Sequence, residues 1–415
     1  MLMEDNLPAG VPAPESGDSS SLRQWLAVGA VTIGAFAFVT TEFLPVGLLP
    51  YIGKTLDVSP GTAGLMVTVP GVIAAISAPG LMLGAGRMDR RRVFLLLTAL
   101  LLASNLLSAF APNFAVMLVG RALLGAALGG FWTLATSAVG RLVHPRDAAR
   151  ATAAILTGVT CATVIGVPLG TFIAGLASWR FSFMATGILV AIALVAQLCF
   201  VPSLPSSAAL RFSDLVSLMR RPHSRRSMVM VALAFGAHFS CYTYITPFLL
   251  RNADLSMSTI TWLLLGFGVI GFLSNFAASV SVDRNLKASV AVMISLLMFA
   301  LLSMPLLPHS PPIVTLVVLA WGISFGALPL CFSVWIQRAT PDLPEAGSAL
   351  FVGTIQVAIA VGSSVGGAVV DRVGIPADFL LGSALALLGL AALASFGRST
   401  AKVADEPFAC QATPE

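Results

Sequence analysis

FSFMATGILVAIALVAQLCFVPS (residues 181–203) runs for 23 residues without a charge, and LPSSAALRFSDLVSLMRRPHSRR (204–226) follows it with five arginines. At 1.5 Å per residue a helix over the first stretch is about 34 Å long, enough to cross the ~30 Å hydrocarbon core of a bilayer. The second is the longest polar interruption inside the apolar part of the chain. Together they predict a membrane helix followed by an aqueous linker.

The rest of the chain repeats the first pattern. Hydrophobic residues make up 57% of the 415 and charged residues 10%, with a mean hydropathy of +0.93; soluble domains carry about 25% charged residues. Twelve apolar runs are predicted as spans, at about 25–48, 62–84, 93–111, 115–138, 151–176, 181–203, 227–250, 258–280, 288–308, 312–336, 346–370 and 376–397. Lipid leaves no partner for a free backbone group, and the alternation of a barrel strand is missing, so the runs read as helices. The expected fold is an all-α integral membrane protein with two six-helix bundles, 25–203 and 227–397, joined by the cytoplasmic linker 204–226. Residues 1–24 lack the basic start and small-residue cleavage site of a signal peptide and read as a disordered tail; 398–415 form the other tail.

Basic residues orient the spans. Of 23 Lys and Arg, eighteen fall in segments on the side of the termini, four (Lys54, Arg180, Arg251 and Arg372) on the opposite side, and Arg121 inside the fourth span. That asymmetry places both termini in the cytoplasm and accounts for the basic pI without nucleic acid. The five cysteines show neither a disulfide framework nor metal-ligand spacing.

The halves repeat. Gly166 and Gly170 fall on Gly362 and Gly366 at an offset of 196; Arg87 and Arg141 fall on Arg284 and Arg338 at 197. The same shift carries Glu42 onto His238 and Pro50 onto Pro247. Such internal symmetry is common in transporters, whose sites form between the halves. An ionisable residue among lipid tails costs at least ~2.5–3.5 kcal/mol, so Glu42, Arg121 and His238 should face a cavity or a partner. By helical rise Glu42 is ~12 Å below Pro50 and Arg121 ~9 Å into its span, at similar depth. Two readings stand open: a structural Glu42–Arg121 pair, or a cavity pair in which Glu42 exchanges a proton under the influence of Arg121, with His238 as a second group able to share the titration. Around them, Thr41, Trp132, His238, Tyr242, Tyr244, Asn275, Trp321 and Gln356 are candidate substrate contacts, with packing as the plainer role of each. Pro45, Pro50, Pro168 and Pro247, with Gly166 and Gly170, are candidate bends, static or pivoting. Gly266–Gly271 matches GxGxxG inside an apolar span without a βαβ setting, which points to helix packing. No GxxxxGK[ST] stretch appears, so an ion gradient is the expected energy source. No nucleophile–base or metal constellation suggests an enzyme, and no cofactor is expected.

Arg121-Ala-Leu-Leu-Gly125, Gly166-Val-Pro-Leu-Gly170 and Trp179-Arg180 with Phe183 resemble motifs of the major facilitator superfamily, in its twelve-helix drug:proton antiporter branch. TTEFLPVGLLP (40–50), GFWTLATS (130–137), GVPLGT (166–171), AHFSCYTYITPF (237–248) and WGIS (321–324) resemble the bacterial sugar-efflux transporters. The resemblance covers about 25–397. It implies a monomer in the bacterial inner membrane that exchanges protons for small polar or amphipathic molecules, sugars first. Neighbouring groups in the family imply two alternatives, efflux of nucleosides or of chloramphenicol-like drugs; an uptake carrier or uniporter on the same fold is a further one. One departure concerns the loop after the second span. Gly86-Arg87-Met88-Asp89 has glycine where the family's Asp-Arg pair begins, whereas Asp283-Arg284 keeps it. The gating contact of the first half is thus weakened or moved to Asp89.

Overall fold

Backbone groups in lipid close their hydrogen bonds within the segment, and polar caps mark where each segment meets water. The computed structural model describes residues 20–84, 88–204, 212–307 and 310–396, and every regular element among them is helical. α1 (Leu22–Leu56) starts at a capping box of Ser21 and Gln24 and stops at Asp57, whose φ of 52° ends the helix in the left-handed region. A short turn, Pro60–Ala63, precedes α2 (Leu65–Gly84). α3 (Arg90–Ala109) and α4 (Phe114–Leu142) are capped by the side chains of Asp89 and Asn113. α5 is built of Ala148–Cys161, a π turn Ala162–Gly166 and Val167–Leu176; α6 is Trp179–Phe200.

The second half begins with a linker helix, Phe212–Arg220, tied to the turn after the tenth span by a two-pronged Arg221–Asp342 ion pair at 2.9 and 2.7 Å. α7 is Pro222–Thr243 continued by Ile245–Arg251 after a 44° bend. α8 (257–284) and α9 (286–306) run on as one element, Met257–Leu306, with non-helical angles at Asn285. The Ser281 and Ser289 hydroxyls are 3.1 Å apart although eight residues separate them. In a straight helix they would be ~12 Å apart, so the chain doubles back. α10 (Pro311–Ala339), α11 (Pro344–Arg372) and α12 (Ile375–Ala394) complete the order. Among the described residues ten helices are long and apolar enough to cross a membrane; the bent α7 is an eleventh, and the doubled-back element counts twice. The twelve expected spans are therefore present. All but α2 begin one to five residues before the expected runs, whereas α3, α6, α9 and α12 stop two or three residues short of the expected ends.

Within α1–α6, α1 packs on α5 and α6, and α4 on α2 and α3; α7–α12 repeat these pairings as α7 on α11 and α12, and α10 on α8 and α9. The bundles meet along α2–α11, along its repeat mate α5–α8, and where α1 faces the far part of α7. We call the face where α1 begins proximal and the face where it ends distal. Pro50 and Pro247 line one distal cleft of about 360 Å³, beside Lys54 and Arg251.

The bundle contacts occupy the distal half. Asp371 of α11 accepts from the Ser59 hydroxyl at 2.6 Å and the Gly61 amide at 2.8 Å, and the Thr68 and Ser363 hydroxyls are 2.9 Å apart. At mid-depth Gln356 reaches Glu42, and Gly268 of α8 lies so close to Val164 of α5 that a Cβ would come 2.7 Å from its Cα. Proximal to that level no hydrogen bond joins the bundles among the described residues. The protein is sealed distally. Arg87 lies outside the described residues, as do 1–19, 205–211 and the tail 397–415.

Candidate functional site

Two prolines explain Arg121. Pro45 in α1 and Pro70 in α2 have no N–H, so the carbonyls four residues earlier, of Thr41 and Met66, lose their helical donors. Arg121 Nη1 donates to Thr41 O at 2.7 Å and Nε to Met66 O at 2.7 Å; Nη2 adds the Glu42 carbonyl at 2.9 Å. Arg121 is fully buried. Gly125, one turn on, lets α4 press against Pro70, where a Cβ would come 2.6 Å from the carbonyl oxygen. The guanidinium bonds the backbone carbonyl of Glu42 and not its carboxylate, so the two are not a hydrogen-bonded ion pair, although the buried charges still act on each other. Thr41 serves the same junction, accepting from Asn105 Nδ2 at 3.1 Å and donating to Ala37 O at 2.8 Å.

The Glu42 carboxylate points to the other bundle. Its Oε1 accepts from Gln356 Nε2 of α11 at 3.4 Å, and the residue is 5% exposed. Next to it Phe43 stacks on Phe239 of α7, centroids 5.5 Å apart. Phe239 leads to His238, whose ring is sandwiched between Phe325 (3.2 Å, interplanar 3°) and Tyr242 (4.8 Å, 21°). Trp321 Nε1 donates to His238 Nδ1 at 3.0 Å, which assigns the remaining imidazole proton to Nε2. Phe267 closes the cluster against Tyr242 and Trp321. The Tyr242 hydroxyl has no hydrogen-bond partner among the described residues.

Glu42 and Gln356 thus meet between the bundles at mid-depth, and the Phe43–Phe239 stack links them to the His238, Tyr242 and Trp321 cluster, whose own contacts lie within the second bundle. Tyr244 does not join them. The helix breaks there, and its hydroxyl donates to Ser363 O at 2.8 Å while its ring faces Gly64 and Gly367. Asn275 spans α8 and α10 through Gly326 O at 3.3 Å, and Trp132 packs edge-on to Phe131 in the first bundle.

α1 passes Pro45 and Pro50 as one helix, whereas α7 bends just before Pro247. In α5 the π turn precedes Pro168 and absorbs the proline without a break. Gly166 and Gly170 seat α5 on Thr40 and Leu44 of α1. Gly268 and Gly271 of the glycine-rich stretch contact α5 and α10 backbones, as helix packing requires. Asp89 caps α3 and accepts from the Ser203 hydroxyl and, at 2.9 Å, the Leu204 amide. Its bonds stay within the first bundle, and they hold its carboxyl below the ordinary carboxylate range. Asp283 and Arg284 are exposed at the α8–α9 turn.

Asp378 in the first turn of α12 escaped the sequence reading. It is fully buried, and among the described residues no well-formed hydrogen bond reaches its carboxyl oxygens, with the Ser240 hydroxyl close by but turned to Ala237 O. The repeat offers a clue: at the 196 offset it falls on Ser182, a hydroxyl.

Two six-helix bundles that meet along α2–α11, α5–α8 and α1–α7, with a carboxylate–amide contact between them, have the architecture of a membrane transporter. The chain belongs to the Major Facilitator Superfamily, whose family model matches residues 31–351. It is 32% identical over 383 residues to the purine ribonucleoside efflux pump NepI of Salmonella paratyphi B (strain ATCC BAA-1250 / SPB7), covering 92% of this chain and 96% of that one; NepI of Salmonella typhimurium (strain LT2) is equally similar. In fold it is similar to the nucleoside transporter NupG (TM-score 0.74, 15% identity) and to the human organic anion transporter MFSD10 (0.64, 20%). Each comparison covers 89% of this chain and 99% of the other.

Proposed function

We propose that the chain is a proton-coupled efflux transporter for purine nucleosides. The observation that carries this is the meeting of a carboxylate and an amide, Glu42 and Gln356, with the aromatic cluster of His238, Tyr242, Phe239, Phe267 and Trp321. A purine base is a flat π surface that stacks on such rings, while ribose hydroxyls suit a carboxylate and the free Tyr242 phenol. The curated relatives named as purine ribonucleoside pumps support the same substrate class. This moves the substrate from the sugars implied by motif resemblance to the nucleoside alternative.

The excess of basic residues at the proximal face supports a cytoplasmic proximal side, and hence a bacterial inner membrane with both termini inside. The distally sealed form then receives substrate from the cytoplasm. Glu42 binds a proton from outside after the substrate has left and releases it inside as the next nucleoside arrives. Gln356 ties that carboxylate to α11, so loading Glu42 is felt directly at the bundle interface. Arg121 is a positioning residue that fixes α1 and α2 around the site.

Proteoliposomes with an imposed pH gradient test the reading. Labelled inosine or adenosine should move against the proton flux, and Glu42→Gln should abolish the coupling while nucleoside binding persists. Undiminished coupling in that variant removes Glu42 from the role. Arabinose flux without nucleoside flux returns the substrate to the sugars.

A further inference from the structure

Asp378 sits three residues into α12, at the distal side of the second bundle. Its surroundings are tightly drawn. At Gly366 of α11 an added Cβ would come 2.8 Å from Asp378 Oδ1 and 3.1 Å from the Cα and Cβ of Ser240 in α7. The Cys241 thiol donates to the Asp378 backbone carbonyl at 3.4 Å, and the Ser240 hydroxyl is committed to Ala237 O. Among the described residues the Ser240 hydroxyl alone is placed to serve the carboxyl, and it is turned to Ala237 O, in a site that water does not reach. An ionised carboxylate so placed costs several kcal/mol.

The other half of the repeat shows what the position accommodates. Ser182 occupies it there, and its hydroxyl donates to Gly170 O at 2.7 Å. Gly170 and Gly366 are repeat mates. A neutral carboxylic acid carries the same single donor as that hydroxyl; a carboxylate carries none.

The position matters because of its neighbour. Tyr244 follows the Ser240–Cys241 pair by one turn and stands at the α7 bend. Its ring fills the space left by Gly64 of α2 and Gly367 of α11, and its hydroxyl holds Ser363. Ser363 meets Thr68 across the bundle interface. Asp378 therefore lies directly behind the aromatic plug of the distal seal.

We propose that Asp378 is a second proton-binding site, neutral while the distal seal is closed and ionised when the seal opens and water reaches it. On opening, the O–H bond breaks and the proton passes to distal water; on closing, a proton is taken up again. The titratable groups facing it are Cys241 and Tyr244 of α7. α11 contributes Ser363 and Gly366, with Asp371 further out and bonded to Ser59 and Gly61. α8 and α9 carry Asp283, Arg284 and Lys287 at the opposite face. No lysine or arginine bonds to Asp378. The proposal rests on alternating access and not on Glu42 as coupling group.

Hydrogen–deuterium exchange of the intact protein in nanodiscs tests it, with segments 57–70 and 362–376 reporting on the seal. After correction for the chemical rate, wild-type protection there should fall by up to about tenfold per pH unit as the pH rises, the limit for one linked proton. Asp378→Asn should stay protected at every pH, and Glu42→Gln should keep the wild-type response. If the asparagine variant does not fold, Asp378→Ser, the residue of the repeat mate, takes its place. A wild type without pH response, or a neutral variant that retains it, overturns the proposal, while a Glu42→Gln variant that keeps its proton coupling bears on the coupling residue alone.

Discussion

If Arg121 exists to serve the carbonyls that Pro45 and Pro70 leave without donors, its loss should be repairable at those prolines. Arg121→Met keeps much of the side-chain volume and removes all three hydrogen bonds, to Thr41 O, Met66 O and Glu42 O. Glu42 O retains a possible donor in the Val46 amide, so the damage falls on the other two carbonyls. A buried carbonyl stripped of its donor costs about 1–3 kcal/mol, hence about 2–6 kcal/mol for the pair. Pro45→Ala with Pro70→Ala returns an amide to each helix at the required spacing. In the Arg121→Met background the double alanine change should recover at least about 2 kcal/mol more than it yields in wild type, a coupling of the size contacting residues show. Unfolding by SDS titration in mixed micelles reads the four corners of the cycle. Strict additivity would refute the argument. The transport pH profile separates the roles further: a positioning arginine predicts that the alanines also restore the profile, whereas direct control of Glu42 predicts that they do not.

Tyr244→Phe deletes one buried hydrogen bond to Ser363 O while keeping the ring between Gly64 and Gly367. That bond joins α7 to α11 within the second bundle, so its loss should destabilise that bundle by about 1 kcal/mol, read as a lower midpoint in SDS unfolding; an unchanged midpoint would deny the hydroxyl a part in holding α7 to α11. Asp89 has its carboxyl held below its ordinary value of 3.8 by Ser203 and the Leu204 and Arg91 amides. Its contribution is therefore complete above 3.8 and lost as the pH falls through the lower folded value. Asp89→Asn should melt below wild type at neutral pH and alongside it well below pH 3.8; a gap that persists in acid would exclude the ionised carboxylate as its cause.

Much of this was readable from composition and period. Apolar runs of bilayer length fix the helices, and the polar insert at 204–226 marks the division of the halves. Pro50 and Pro247 were paired by the offset as repeat mates, but that they line one cleft is not something a repeat encodes. Glu42 and Gln356 were both singled out, but their bond crosses from α1 to α11, and no spacing along the chain encodes that. Tyr242 and Tyr244 looked like one cluster because they are two residues apart; the break at Tyr244 sends them to different neighbours. Arg121 was legible in principle, since a proline four residues after Thr41 and another after Met66 announce vacant carbonyls. What the sequence lacked was the depth match of three helices. Asp378 was hidden by its place at the edge of a span, where a carboxylate ordinarily reads as a first-turn residue in water.

The repeat uses equivalent positions for different work, and this bears on how the bundles move. In α1 the position holds a carboxylate whose backbone is clamped by Arg121; in α7 it holds His238, enclosed by rings and bonded by Trp321. Both are rigid within their own bundle. Between bundles the polar contacts are few: two from Asp371, one between Thr68 and Ser363, and the long Gln356–Glu42 bond. At about 0.5–1.5 kcal/mol each, net, these amount to about 2–6 kcal/mol. Inverting a 1:99 equilibrium takes about 5.5 kcal/mol of differential binding. A seal of that size lies within reach of one bound ligand together with one proton. Gln356 and Glu42 lie on opposing helices, and among the described residues their 3.4 Å bond is the innermost polar contact between the bundles. So long a bond adds little to the cost of parting them, and most of the polar cost is carried by the distal contacts of Asp371 and Thr68.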